Sequence, residues 1–295
     1  MARLFGLIGN RADLGGRVLG SEADALRVHS KGTALGWGVG FYQGGEVLMR
    51  RRPIDESETI EVAKLAGDVN ADMMIGQVQS AAAGTRLTLH TENTPPFRYR
   101  QWLYAQAGSV PSFPSIRERL VTRLPIFLKS AVRGETDAEI LFAIFLSFLH
   151  QNGSLHDRLV SVACVRDALR SSLAVVTAMG ADVSHERANL NLVVSNGEHV
   201  FAVHAGEPMG YRLFRGKADA EALLPLMHDD FALRRKAPVL DQMRFTLIAS
   251  DFDDGGVFAA SGPASLPASA SRWKAVSDRA IVTLERESDP YIEAL

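Results

Sequence analysis

Residues 36–50 read GWGVGFYQGGEVLMR. Two β-type runs, Val39–Tyr42 and Glu46–Arg50, flank Gly44-Gly45, and two glycines between apolar runs are the signal of a tight hairpin, because glycine reaches the positive φ that such turns demand. Working outward, short runs bounded by glycine or polar residues predict further strands at Leu4–Gly9, Met73–Val78 and Trp102–Ala105. Helical periodicity predicts helices at Ser57–Ala66, Ser115–Leu124, Ala138–His150 and Leu155 to about Ala178. The stretch NLNLVVSNGEHVFAVHA at 189–205 then returns to β-rich runs on either side of Ser195-Asn196-Gly197, a second hairpin signal. Strands are also expected at Gly210–Phe214, Phe245–Ser250 and Ala280–Leu284. Strands, then helices, then strands is the order of an α+β fold. It implies two sheets sandwiched between helical layers rather than a doubly wound parallel sheet.

The third helix opens with Thr136-Asp137-Ala138-Glu139, a capping box in which Thr and Glu are expected to satisfy each other's backbone donors, placing Asp137 in a first helical turn. The segment AASGPASLPASAS, 259–271, is rich in Ser, Ala, Pro and Gly and reads as a mobile loop rather than a domain linker. No internal repeat is visible, and residues 1–295 are expected to form one domain, a size at which a large core can be buried.

The chain carries 32 basic and 34 acidic side chains for a formal charge of −2, so it offers no global attraction to nucleic acid or an anionic membrane. The clusters Arg50-Arg51-Arg52 and Arg234-Arg235-Lys236 are short and read as solvated faces. The opening MARLFGLIGNRADLGG has too brief an apolar run for a signal peptide or a membrane span. A single cysteine, Cys164, rules out an internal disulfide and any multi-cysteine metal site, fits a reducing, cytoplasmic compartment, and sits in an apolar stretch as a packed thiol. His150, His156, His199 and His204 lack metal-ligand spacing, and Asp251, Asp253 and Asp254 before Gly255-Gly256 lack the full calcium-loop pattern. No metal or cofactor is expected.

GWGVGFYQGGEV (36–47), ENTPPF (92–97), WLYAQAGSV (102–110), RGETDAEILF (133–142) and NLVVSNG (191–197), with Ala249-Ser250 and Trp273 beyond them, occur in one order. Together they resemble the small stand-alone class II glutamine amidotransferases, which are N-terminal nucleophile hydrolases. That resemblance covers most of the chain and implies a four-layer αββα sandwich.

The family's chemistry requires a Cys immediately after the initiator Met, whose thiolate attacks the glutamine amide. Here that residue is Ala2, which has no lone pair and cannot form the thioester. The family has a His-x-Arg phrase, its Arg clamping the substrate carboxylate, where this chain reads Gln77-Val78-Gln79. It has His-Asn-Gly, supplying the oxyanion hole, where this chain reads Gln106-Ala107-Gly108. Only Gly108 is kept. Asp137 matches the aspartate that holds the substrate ammonium, and equally suits a helix N-terminus. Trp37 suits either a loop bordering the substrate pocket or a core aromatic.

The resemblance thus implies a site altered at Ala2, Gln77, Gln79, Gln106 and Ala107, with Asp137, Gly108 and Trp37 as remaining ligand contacts. On that basis the chain is expected to be a non-catalytic binding, scaffold or regulatory subunit for a protein partner, an amide-forming or amine-using enzyme or a second copy of itself. Two alternatives stand beside it. One is an active amidohydrolase, with an altered substrate or with its nucleophile engineered away. The other is a small-molecule amine sensor.

Overall fold

The computed structural model describes residues 3–23, 26, 34–56, 66–80, 90–183, 188–223, 242–250 and 272–295. Ala2, the helix expected over Ser57–Ala66 except Ala66 itself, the basic cluster 234–236, the acidic cluster 251–254 and the loop 259–271 lie outside the described residues.

The elements are, in chain order, β1 (Arg3–Gly9), α1 (Gly15–Ser21), β2 (Ala34–Gln43), β3 (Glu46–Glu56), β4 (Met73–Ser80), β5 (Phe97–Tyr99), β6 (Trp102–Ser109), α2 (Phe113–Thr122), α3 (Ile126–Lys129), α4 (Asp137–Gln151), α5 (Val162–Ala181), β7 (Asn189–Ser195), β8 (Val200–Ala205), β9 (Met209–Arg215), α6 (Gly216–Leu223), β10 (Arg244–Ser250), β11 (Trp273–Ala275), β12 (Ala280–Leu284) and β13 (Tyr291–Ala294). They build a seven-stranded sheet, β11-β9-β10-β1-β4-β2-β3, and a six-stranded sheet, β13-β12-β8-β7-β6-β5. All neighbouring strands run antiparallel.

Alternation of side chains along each strand divides the apolar residues into three cores. On β1, Phe5 and Leu7 join Val39, Met74 and Val78 on the outer face of the first sheet, where α1 and α6 cover them. Leu4 and Ile8 face the other way and meet Ile75, Ala105, Val193 and Ile248 between the sheets. Trp102, Tyr104, Leu192 and Phe201 lie on the far face of the second sheet, against Leu141, Phe145 and Leu169 of α4 and α5. Three cores separate four layers, helix, sheet, sheet, helix.

Both predicted hairpins form, with Gly44 and Gly45 at φ 60° and 81° and Gly197 at 91°. The long helix predicted from Leu155 begins instead at Val162. Ser161 caps it, its hydroxyl accepting the Cys164 N–H at 3.2 Å, which satisfies one of the free first-turn donors. Cys164 is a free thiol, only partly buried against the helical core. Among the described residues no helix is long and apolar enough to cross a membrane.

Candidate functional site

Apart from Ala2 and Trp37, the site positions named from sequence sit on β4, β6 and the first turn of α4. On β4, Met73 and Ile75 point between the sheets, so period-two alternation sends Gln77 and Gln79 into the same interlayer. Gln77 is 3% exposed and bridges to the second sheet. Its Nε2 donates to the Gln106 carbonyl at 2.5 Å and its Oε1 accepts the Gln106 N–H at 3.1 Å. Gln79 is partly buried on the same strand, opposite Gly36 of β2. β1 starts at Arg3, opposite Val78.

On β6, Ala107 belongs to the interlayer core, whereas Tyr104 stacks on Phe142 of α4 at 5.1 Å between ring centroids. The Gln106 side chain therefore lies on the helical side, where its Oε1 accepts the Tyr104 hydroxyl at 2.6 Å. Gly108 follows at φ 89°, and a Cβ there would stand 1.8 Å from the Asn189 carbonyl oxygen. A positive φ and a backbone in contact leave room for glycine alone.

Asp137 opens α4 beneath the end of β6. Its Oδ2 accepts the Val110 N–H at 2.7 Å and its Oδ1 the Ala138 N–H at 2.9 Å. Burial raises its carboxyl above the ordinary value, and the two backbone bonds partly counter the shift. Burial, with Asp137 nearby, likewise holds the Tyr104 hydroxyl well above its usual range. Half of the anticipated capping box forms: Thr136 Oγ1 accepts the Glu139 N–H at 3.2 Å. Glu139 reaches past Thr136 to the N–H groups of Arg133 and Gly134, at 2.9 and 2.7 Å.

Gln77, Gln106 and Tyr104 thus form one bonded chain, Gln79 and Ala107 face the interlayer beside it, and Asp137 holds the backbone just beyond Gly108. Trp37 stands apart. It lies on strand β2 rather than in a loop, partly buried against the outer core of the first sheet. Alternation with Val39 and Phe41 could have placed it there. Sequence reading missed Tyr104, whose hydroxyl orients Gln106, and Ser250, whose fully buried hydroxyl at the end of β10 has no partner among the described residues. Among the described residues no three His, Cys, Asp or Glu side chains cluster as a metal site.

The family model of the class II glutamine amidotransferases matches residues 20–252. The chain belongs to this family. A curated relative, the gamma-glutamyl-hercynylcysteine sulfoxide hydrolase of Mycobacterium tuberculosis, is 25% identical over 210 residues, which are 71% of this chain and 74% of that protein. Among solved structures, a glutamine aminotransferase class-II domain protein from Silicibacter pomeroyi superposes with a TM-score of 0.57 at 15% identity, covering 99% of this chain and 98% of the other. A predicted glutamine amidotransferase from Pseudomonas aeruginosa gives 0.55 at 16% identity, with 97% and 98% covered. At such identities these two amidotransferase structures speak for the fold, two antiparallel sheets between helices.

Proposed function

We propose that this class II amidotransferase is a non-catalytic member that serves, in the cytoplasm, as a binding or regulatory subunit of a partner enzyme that forms amides or uses amines. One observation carries the reading: at the two positions where the family phrases have His, the Gln77 side chain is taken up by the Gln106 backbone and the Gln106 Oε1 by the Tyr104 hydroxyl, which leaves the Gln106 Nε2 alone without a partner among the described residues. With all but that one donor engaged, the pair contributes to holding the sheets together and leaves little to offer a substrate. The changes around the pair agree with this. Gln79 is neutral where the family clamps a carboxylate, Ala107 has no side-chain donor, and Ala2, next to β1, has no nucleophilic atom.

The similarity to the mycobacterial hydrolase favours a second reading, hydrolysis of a γ-glutamyl amide other than glutamine. Release of glutamate or ammonia from glutamine and from γ-glutamyl amides by the purified chain separates the two. No turnover, together with a partner enzyme recovered in stoichiometric amount from the native source, is the expected result. Turnover of either substrate removes the non-catalytic reading.

A further inference from the structure

A cleft opens at the lateral edge of the sandwich between β3, β5 and α4. It is distinct from the Gln77–Asp137 region. Asp137 and Glu139 are two residues apart on one helix, about 200° around its axis. Asp137 faces the end of β6, while Glu139 turns to the cleft wall.

The floor is apolar, made by Phe97, Phe142, Ala143 and Leu146. Around it stand charges of both signs, Arg51, Arg98 and Arg133 against Glu92 and Glu139. Arg51 is half-buried, yet among the described residues its one hydrogen bond is from Nη1 to the Thr94 carbonyl at 3.1 Å. Neither carboxylate comes within ion-pair distance of it. Burial lowers its pKa, opposed by the fields of Glu92 and Glu139, so these groups sense one another across open space. Most of the Arg51 fork is thus left for a charged ligand to complete.

We infer that this cleft binds a zwitterionic amino acid with a large apolar side chain. Arg51 takes the carboxylate, Glu92, whose Oε2 also meets the exposed His90 ring, takes the ammonium, and Phe97, Phe142 and Leu146 receive the side chain. An apolar floor with a few convergent polar groups is how small-molecule sites orient a ligand. Glu139 already accepts two backbone N–H groups and serves as fixed negative charge rather than as the contact.

Calorimetric titration of the full chain with L-phenylalanine tests this. One-to-one saturable binding is expected, weakened at least about tenfold when the probe is N-acetyl-L-phenylalanine or L-phenylalanine methyl ester, because each blocks one charge-assisted contact. Arg51→Lys and Glu92→Gln should each lower affinity by a similar factor. Lys217→Ala, at an exposed residue of α6 outside the cleft, should leave it unchanged. The blocked ligands need no variant, so a misfolded variant does not blunt the test. Absence of saturable binding, or equal binding of either blocked ligand, overturns the assignment.

Discussion

The side-chain amide of Gln77 on β4 closes on both backbone groups of Gln106 on β6, donating to its carbonyl and accepting its N–H. This pair joins the two sheets by polar contacts across the interlayer. Truncation at Gln77 strands a buried N–H and a buried carbonyl, each costing about 1–3 kcal/mol. Gln77→Ala is therefore expected to destabilise the chain by about 2–4 kcal/mol in urea unfolding. A loss below about 0.5 kcal/mol, the size of an ordinary surface change, removes Gln77 from this structural role.

Gly108 gives a sharper test, since its conformation and its surroundings both demand glycine. Gly108→Ala adds a Cβ against the Asn189 carbonyl on the paired strand β7 while forcing a strained φ, so β6 and β7 must separate locally. Strain at such a φ costs of order 1–3 kcal/mol and the clash adds to it. The expected outcome is a fall in Tm of several degrees or insoluble protein, checked against Gly44→Ala. Gly44 has no atom near its missing Cβ and should cost less.

What the sequence disclosed follows how local each signal is. The hairpins at Gly44-Gly45 and Ser195-Asn196-Gly197, and the Thr136 cap of α4, are written within a few residues and were legible. Helix α1 was not, because Gly15 and Gly16 in its first turn depress helix propensity and read as breakers. The short edge strands β5, β11 and β13 offer too few residues for a period to appear. At the site, the motif order brought out Gln77, Gln106 and Asp137, but that the two glutamines bond each other, or that Tyr104 orients one of them, depends on sheets meeting in space. No local pattern encodes it.

The same limit hid Glu22, which is 3% exposed yet ionic. It pairs with the buried Arg212 and accepts the Trp273 indole N–H at 2.8 Å, while Arg212 lies over the Phe214 ring at 4.3 Å. Removing one charge of a buried pair leaves the other uncompensated, at about 3–5 kcal/mol. Glu22→Gln should cost that much in denaturant unfolding. Glu22→Leu with Arg212→Met should recover much of it, since well-packed apolar replacements of buried pairs are often neutral. If the double variant is as unstable as the single one, the pair holds this region by more than its charge.

Asp137 supplies a pH dependence. Burial raises its carboxyl above the ordinary 3.8, so between that value and the higher folded value the native state keeps a proton that the unfolded chain has released. Stability from this group is fully present below 3.8 and is lost as pH rises through the folded value. Unfolding free energies of the native chain and of Asp137→Asn, measured from pH 3 to pH 7, should differ by an amount that moves against the native chain as pH rises. A difference that stays constant, leaving only a fixed offset from the altered Val110 and Ala138 bonds, contradicts the raised pKa.

The last expectation concerns rescue of glutamine hydrolysis. Ala2→Cys restores a thiol ahead of β1 and nothing else. Gln79 still offers a neutral amide where a charged fork is worth about 1.5–3 kcal/mol against about 1. Ala107 still lacks the side-chain donor whose loss typically costs 10²- to 10³-fold in rate. Together these deficits amount to at least about 10³-fold even with a competent thiolate. The figure is a guide, because groups acting as a unit do not contribute additively. Ala2→Cys is therefore expected to show no glutamate release above the native chain, whereas adding Gln79→Arg and Ala107→Asn supplies the missing clamp and donor. Ala107 is packed in the interlayer core, so Asn there must also displace apolar neighbours, and the triple variant should regain activity only if its fold survives, which its unfolding curve reports. Robust turnover by Ala2→Cys alone would mean that Gln79 and Ala107 are compatible with catalysis and that the interlayer site is intact apart from its nucleophile.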